Sequence, residues 1–334
     1  MLCRVAENLF WMGRYVERAV ATARLIDVTA HLELDAAEAR ASAPDFWTPL
    51  LGMGDVEPPP SATAENARQY LAISADNPNS LVSCIHHARL AARSIRESIT
   101  SEMWEHLNRQ YLAMLDSKPA DAMAENPPAF FKRVLDGLLL FQGLADATLA
   151  RDEGWQFISL GQYLERADNV ARALSAQAYL LLNPGPQPHE DDLVRWLAVL
   201  RSCGSAEAYA RYYALRVDPP RVLEFLLLNA IFPQSVRFSL NAGQRAVEAI
   251  VAGWQPVPDS PLPAARELGQ LRARVEYTAV DEILEEGLDA YLAEIQHRIA
   301  VTSDALAATF FRTQADAERQ MPVARAAALM AAQQ

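Results

Sequence analysis

The chain has 334 residues, 51% of them hydrophobic, and 30 Lys+Arg against 42 Asp+Glu give a formal net charge of −12. That length holds one large domain or two of ordinary size, and the apolar content excludes a disordered chain. An acidic overall field also argues against nucleic acid, because phosphate binding needs a basic face.

The N-terminal stretch places Arg4, Glu7 and Arg14 where a secretory signal needs an unbroken apolar run. The longest apolar runs, such as VLEFLLLNAIF, are too short to span a bilayer and include Glu224. Cys3, Cys84 and Cys203 are odd in number and widely spaced, which suits a reducing compartment rather than a disulfide framework. The expectation is a cytoplasmic protein without a membrane anchor.

Helical periodicity dominates from the first residues. Val5, Leu9, Met12, Val16, Ala19 and Ala23 recur at intervals of three and four, giving one apolar stripe over residues 2–34. Arg4, Glu7, Arg14, Arg18 and Trp11 lie off that stripe. Comparable patterns follow at 78–115, 128–150, 153–182, 190–216, 219–253 and 264–312. Breaker-rich stretches at 55–64, 117–128, 183–190 and 255–264 separate them, and no period-2 segment appears. Low Gly and abundant Ala agree with an all-α fold.

Within this pattern lies an internal repeat. GRYVERAVATAR starts at Gly13 and GQYLERADNVAR at Gly161, an offset of 148. Trp47 with Leu50–Leu51 then matches Trp196 with Val199–Leu200, and QYLAISADNPNSLVSCI (69–85) matches EFLLLNAIFPQSVRFSL (224–240). The expectation is a helical bundle of two tandem, internally duplicated halves, residues 1–152 and 153–320, packed about a pseudo-twofold axis, with a tail at 321–334. A period near 150 residues is too long for a solenoid.

The repeated polar residues are Glu17, Arg18 and Arg24 in the first copy and Glu165, Arg166 and Arg172 in the second. One explanation is structural. Gly inside a helix costs about 1 kcal/mol relative to Ala, so Gly13 and Gly161 point to two helices crossing closely. Glu17 and Glu165 then pair with Arg24, Arg172, Arg18 or Arg166. The other explanation makes this set the floor of a polar pocket. There Glu17 and Glu165 would be catalytic, and Arg14, Arg18, Arg24, Arg166, Arg172 and Trp11 would bind an acidic or amino-acid-like ligand through bidentate guanidinium contacts.

Other features have plainer readings. Pro78-Asn79-Ser80 and Pro233-Gln234-Ser235 look like helix starts, with Ser as cap and Pro in the first turn. Arg89, Arg93 and Arg96 share a helix face that is either solvated or a dock for an acidic partner. Glu294-Ile-Gln-His297 has the spacing of a helical-bundle metal ligand pair, but it occurs once and is not repeated, so no metal is expected. Cys84 beside His86 and His87 has Ser239 at its matching position, so a duplicated nucleophile is not expected. No phosphate-loop, dinucleotide or GxSxG fingerprint is present, and no cofactor is inferred.

The segments MLCRVAENLFWMGRYVERAVATARLIDV and SLGQYLERADNVARAL resemble the bacterial alpha-E family, as do residues 79–108 and 224–240. The likeness covers most of residues 1–312, with its Glu-Arg motif at Glu17–Arg18 and Glu165–Arg166. Val20 stands where the family often carries a Glu, and Ala91-Ala92-Arg93 replaces a more polar stretch. The resemblance implies a circularly permuted ATP-grasp protein as partner, often with a transglutaminase-like protease nearby, and hence ATP-dependent peptide or amide chemistry. Three roles are expected: accessory or co-catalytic partner of the ligase, enzyme in its own right through Glu17 and Glu165, or structural scaffold.

Overall fold

The computed structural model describes residues 1–38, 47–51, 63–116, 119–182, 188–213, 217–253 and 262–311. Most of the expected separators at 55–64, 183–190 and 255–264, and the expected tail at 321–334, lie outside the described residues.

Among the described residues every regular element is helical. The order begins with α1 (Cys3–Glu38), α2 (Thr48–Leu51), α3 (Ala64–Ala72), α4 (Leu81–Ser94) and α5 (Ser101–Asp116). It continues with α6 (Pro119–Glu125), α7 (Pro127–Thr148), α8 (Glu153–Leu182), α9 (Pro188–Ser202) and α10 (Ala206–Tyr213). The last are α11 (Pro219–Leu223), α12 (Val236–Ala252), α13 (Pro263–Tyr277), α14 (Val280–Glu286) and α15 (Leu288–Leu306).

Four expected long helices are interrupted where side chains or glycine offer the backbone another course. The 78–115 block breaks at Thr100, whose Oγ1 accepts from Met103 N at the start of α5. The 190–216 block breaks at Gly204, which takes φ +61°, and at Ser205, whose hydroxyl donates to Leu200 O at 2.7 Å. The 219–253 block breaks after a π-helical turn at Glu224–Leu228, where Asn229 Oδ1 accepts from Ile231 N and Phe232 N. Local hydroxyl and amide acceptors compete with the helical ladder at these points. The 264–312 block breaks at Thr278, whose hydroxyl donates to Arg274 O, and at Gly287, which takes φ +102°.

Ser80 and Ser235 cap α4 and α12, accepting from Ser83 N at 3.2 Å and Phe238 N at 3.0 Å. Pro78 and Pro233 are not in the first turn as expected; each stands two residues before its serine, in the preceding loop. Arg89, Arg93 and Arg96 do not form one strip either. Arg96 falls on a separate 3-10 turn, Arg96–Ser98, and lies over the Trp104 ring at 4.0 Å. Arg89 instead bridges α4 to α5, donating to Asn108 Oδ1 at 2.8 Å.

The molecule is organised around α1 and α8, which pack on each other more extensively than any other pair. On the other sides, α4 and α7 cover α1, and α12 and α15 cover α8. The buried faces carry Leu9, Phe10, Met12 and Val16 from α1 and Phe157, Leu160, Leu164 and Ala167 from α8. At the crossing the two backbones touch. A Cβ on Gly13 would collide with the Ile158 carbonyl oxygen, and one on Gly161 with that of Phe10. Only glycine fits at either place, because the obstacle is backbone and cannot rotate away.

Gly13→Ala and Gly161→Ala are each expected to destabilise the protein by roughly 1–3 kcal/mol in urea denaturation, despite the better helix propensity of Ala. Gly143 on α7 meets nothing within 4 Å, so Gly143→Ala should instead stabilise by about 1 kcal/mol.

Candidate functional site

One turn beyond each glycine stands a glutamate, and the close crossing makes each face the other helix. Glu17 of α1 is held by Arg166 of α8 through two parallel bonds, Nε to Oε1 at 2.7 Å and Nη2 to Oε2 at 3.0 Å. Gln142 of α7 adds a third donor to Glu17 Oε2 at 2.7 Å. Glu165 of α8 accepts from Arg14 Nε at 2.6 Å, Arg18 Nε at 2.5 Å and Arg18 Nη2 at 3.0 Å, both arginines on α1.

Further atoms anchor the guanidiniums. Arg14 donates to Ser303 Oγ of α15 at 2.9 Å, Arg166 to the Pro233 carbonyl at 3.3 Å, and Arg18 to Asn79 Oδ1. The last two acceptors sit in the loops just before the Ser80 and Ser235 caps. Glu17 and Glu165 are only 3% and 1% exposed, so their charges depend on this pairing.

Burial pushes the Glu165 carboxyl up, but Arg18 and Arg14 outweigh it and hold the group at about 2. Burial lowers Arg18 and Arg166, and the facing glutamates more than reverse this, so both guanidiniums stay charged. All four carboxylate oxygens are therefore occupied by donors. General acid–base work needs a carboxyl near the operating pH, and Glu165 is held far below it.

Arg24 and Arg172, grouped with the glutamates as possible partners in the sequence, do not reach them. Arg172 Nε instead donates to Asp168 Oδ2 at 2.9 Å on its own helix. Burial raises the Asp168 carboxyl, with Arg172 opposing. Trp11 stacks beside Arg14, whose Cζ lies 5.3 Å from its ring centroid.

Cavities open on both sides of the ion cluster. The first, about 120 Å³, is bounded by Arg24, Arg166 and Asn169 with Leu50, Leu51 and Leu71. The second, about 410 Å³, lies between α1, α8 and α15 and is bounded by Trp11, Tyr15, His87, Asp168, Arg172 and Ser303. Arg18, Asn79 and Arg172 line both, so the cluster is a partition between two spaces.

Sequence reasoning missed Gln142, Ser303 and Asn79, because each comes from an element whose approach is set only by packing. It also missed Asp168, although its four-residue spacing from Arg172 on α8 was readable in the sequence. The matched pre-cap loops were the one available signal for Asn79 and Pro233. Cys84 and Cys203 are buried, and burial pushes each thiol to about 12, so neither supplies a thiolate. His87 is pushed down by burial, His86 and Arg18, and its Nδ1 is shielded without a partner. Glu294 is occupied by Arg274 and Arg298 at 3.1 and 3.0 Å.

Residues 1–311 match the Alpha-E family, described as a predicted alpha-helical domain with a conserved ER motif. The chain belongs to the alpha-E family. In this member, Glu-Arg dipeptides at Glu17–Arg18 and Glu165–Arg166 interlock across the α1–α8 crossing. It is 27% identical over 325 residues to uncharacterized proteins of Mycobacterium bovis and Mycobacterium tuberculosis, covering 87% of this chain and 34% of theirs. The alpha-E chain thus spans about a third of the length of these relatives. No solved structure matches it. No helix among its described residues is long and apolar enough to cross a membrane.

Glu165→Gln leaves Arg14 and Arg18 facing a neutral group in a buried site, and a loss of about 3–5 kcal/mol is expected in urea denaturation. The depressed carboxyl also fixes a pH dependence. Its stabilisation is complete above the ordinary value of 4.5 and is lost as pH falls through that value toward about 2. Acid titration followed by circular dichroism should show a smaller stability change in this window for Glu165→Gln than for the unaltered protein. A thiol reagent at neutral pH should leave Cys84 and Cys203 unmodified until the chain is unfolded.

Proposed function

We propose that this chain is the accessory partner of a circularly permuted ATP-grasp amide ligase, holding an amino-acid-like or peptide substrate beside the Glu/Arg cluster. What carries the reading is the arrangement at the crossing: a saturated carboxylate pair forms a rigid wall between two cavities rimmed by arginines. Such a wall orients an acidic ligand without reacting with it. The sequence contains no phosphate-binding loop, so ATP chemistry belongs to the ligase, with a transglutaminase-like protease as a further neighbour and the cytoplasm as the setting. The mycobacterial relatives support a unit that works with others, since the matching segment occupies 34% of a longer chain.

In this reading residues 1–152 and 153–320 are two copies of one helical unit. Glu17 and Glu165 are positioning residues, and Arg14, Arg18, Arg24, Arg166, Arg172 and Trp11 shape the ligand space. Direct catalysis by the two glutamates has less support, because Glu165 is held at about 2 and its oxygens are taken. A purely structural cluster is the second reading, favoured by the same saturation.

Co-expression with the ATP-grasp protein of the same source tests the proposal. The two should co-purify, and the alpha-E chain should raise ligase turnover. Neither effect being seen would sink the partner role. Glu17→Gln separates the second reading: a folded variant with undiminished stimulation would make the cluster structural only.

A further inference from the structure

Arg24 and Arg172 occupy matching places on α1 and α8, yet their charges are balanced differently. Arg172 has Asp168 four residues earlier on its own helix and donates to it at 2.9 Å. Four residues before Arg24 stands Val20, apolar and 2% exposed. Arg24 makes no hydrogen bond or ion pair among the described residues. Its nearest charged neighbours, Glu17 and Arg166, are already bound to each other. Burial pushes Arg24 below its ordinary value, with Glu17 opposing and Arg166 adding to the effect. The guanidinium lies against Gly204, where an added Cβ would fall 3.1 Å from Cζ, so the backbone at the end of α9 backs it.

Asn169, on α8, borders the same cavity. Its Nδ2 is shielded from solvent and has no partner. Buried donors of this kind are a net cost to the folded chain unless an acceptor arrives from outside. The remaining walls include Val20, Leu50, Leu51 and Leu71. One cation and one amide without a partner among the described residues, beside an aliphatic patch, define a ligand with a single negative charge, two acceptor oxygens and an apolar body.

We propose that the Arg24–Asn169 corner binds the carboxylate end of an apolar amino acid or short peptide, with Val20, Leu50, Leu51 and Leu71 receiving its side chain. The guanidinium fork takes the two carboxylate oxygens, and the Asn169 amide donates to one of them. Inorganic phosphate fits less well. Its second charge has no free cation, because Arg166 and Arg172 are bound to Glu17 and Asp168. This deepens the accessory-partner reading by naming which end of the substrate the chain holds.

Titration calorimetry on the whole chain, without ligase, tests the assignment with N-acetyl-leucine, its uncharged analogue N-acetyl-leucinamide, and inorganic phosphate. N-acetyl-leucine should bind saturably, the amide at least tenfold more weakly, and phosphate more weakly than the acid. Arg24→Met should weaken N-acetyl-leucine at least tenfold while leaving the melting temperature unchanged or higher, because no internal partner is lost. Val20→Asp supplies Arg24 with the counter-ion that Asp168 gives Arg172, and should also abolish binding. If that variant does not fold, the Arg24→Met comparison decides alone.

Absence of saturable N-acetyl-leucine binding overturns the proposal, as does equal binding of acid and amide. Tighter binding of phosphate, or unchanged affinity in Arg24→Met, overturns it as well. Because no ligase is present, a failed titration removes this corner alone, and a failed co-purification removes the partner role alone.

Discussion

The contact between the α1 and α8 backbones at Gly13 and Gly161 sets the rest of the structure. Two helices that cross carbonyl to Cα, with no side chain between them, bring the next turn of each within reach of the other. Glu17 and Glu165 occupy that turn. At wider separation each glutamate would need a partner on its own helix or would face water. At this separation Arg166 reaches Glu17, and Arg14 and Arg18 reach Glu165. The glycines and the charges thus form one device: the close approach buries the carboxylates, and their pairing across the crossing makes that burial tolerable.

Buried ion pairs give little net stability over apolar packing, because desolvation cancels much of the attraction. Their effect here is on register. Sliding α8 along α1 by one residue would separate Arg166 from Glu17 and Arg14 from Glu165 together, leaving several charges unpaired in a dry interface. Gln142, Ser303, Asn79 and the Pro233 carbonyl extend this constraint to α7, α15 and the two pre-cap loops. A network spanning so many elements ties α7, α15 and both pre-cap loops to the partition between the cavities.

The two sides of that partition are not equivalent, and the difference lies in single residues. Asp168 neutralises Arg172, whereas Val20 stands at the matching place before Arg24, which makes no ion pair among the described residues. Trp11, Tyr15 and His87 give the second cavity an aromatic wall, with Tyr15 and His87 rings 5.1 Å apart. The first cavity sets aliphatic side chains such as Leu50, Leu51 and Leu71 beside the arginines and polar residues such as Asn77 and Asn169. A ligand reaching both spaces would meet a cationic, aliphatic end and an aromatic end that also carries acidic groups.

Much of this was legible in the chain itself. The 3.6-residue periodicity determined the helices, since apolar stripes can be buried only one way. Gly13 and Gly161 announced a close crossing because glycine stands at the same place, one turn before each Glu-Arg dipeptide, and the paired dipeptides marked the residues that would meet there. The capping serines at Ser80 and Ser235 were readable for the same local reason. Tertiary structure decided who pairs with whom. Arg14, which has Gln162 at the matching place on α8, became a ligand of Glu165, while Arg24, which matches Arg172, makes no ion pair among the described residues. It also broke four long periodic blocks, at Thr100, Gly204, Asn229 and Gly287, where local acceptors or a positive-φ backbone overrode the stripe. Periodicity and propensity act over a few residues and are written in the sequence. Ion pairing between residues about 150 apart depends on the angle and register of two helices, which only their packing sets.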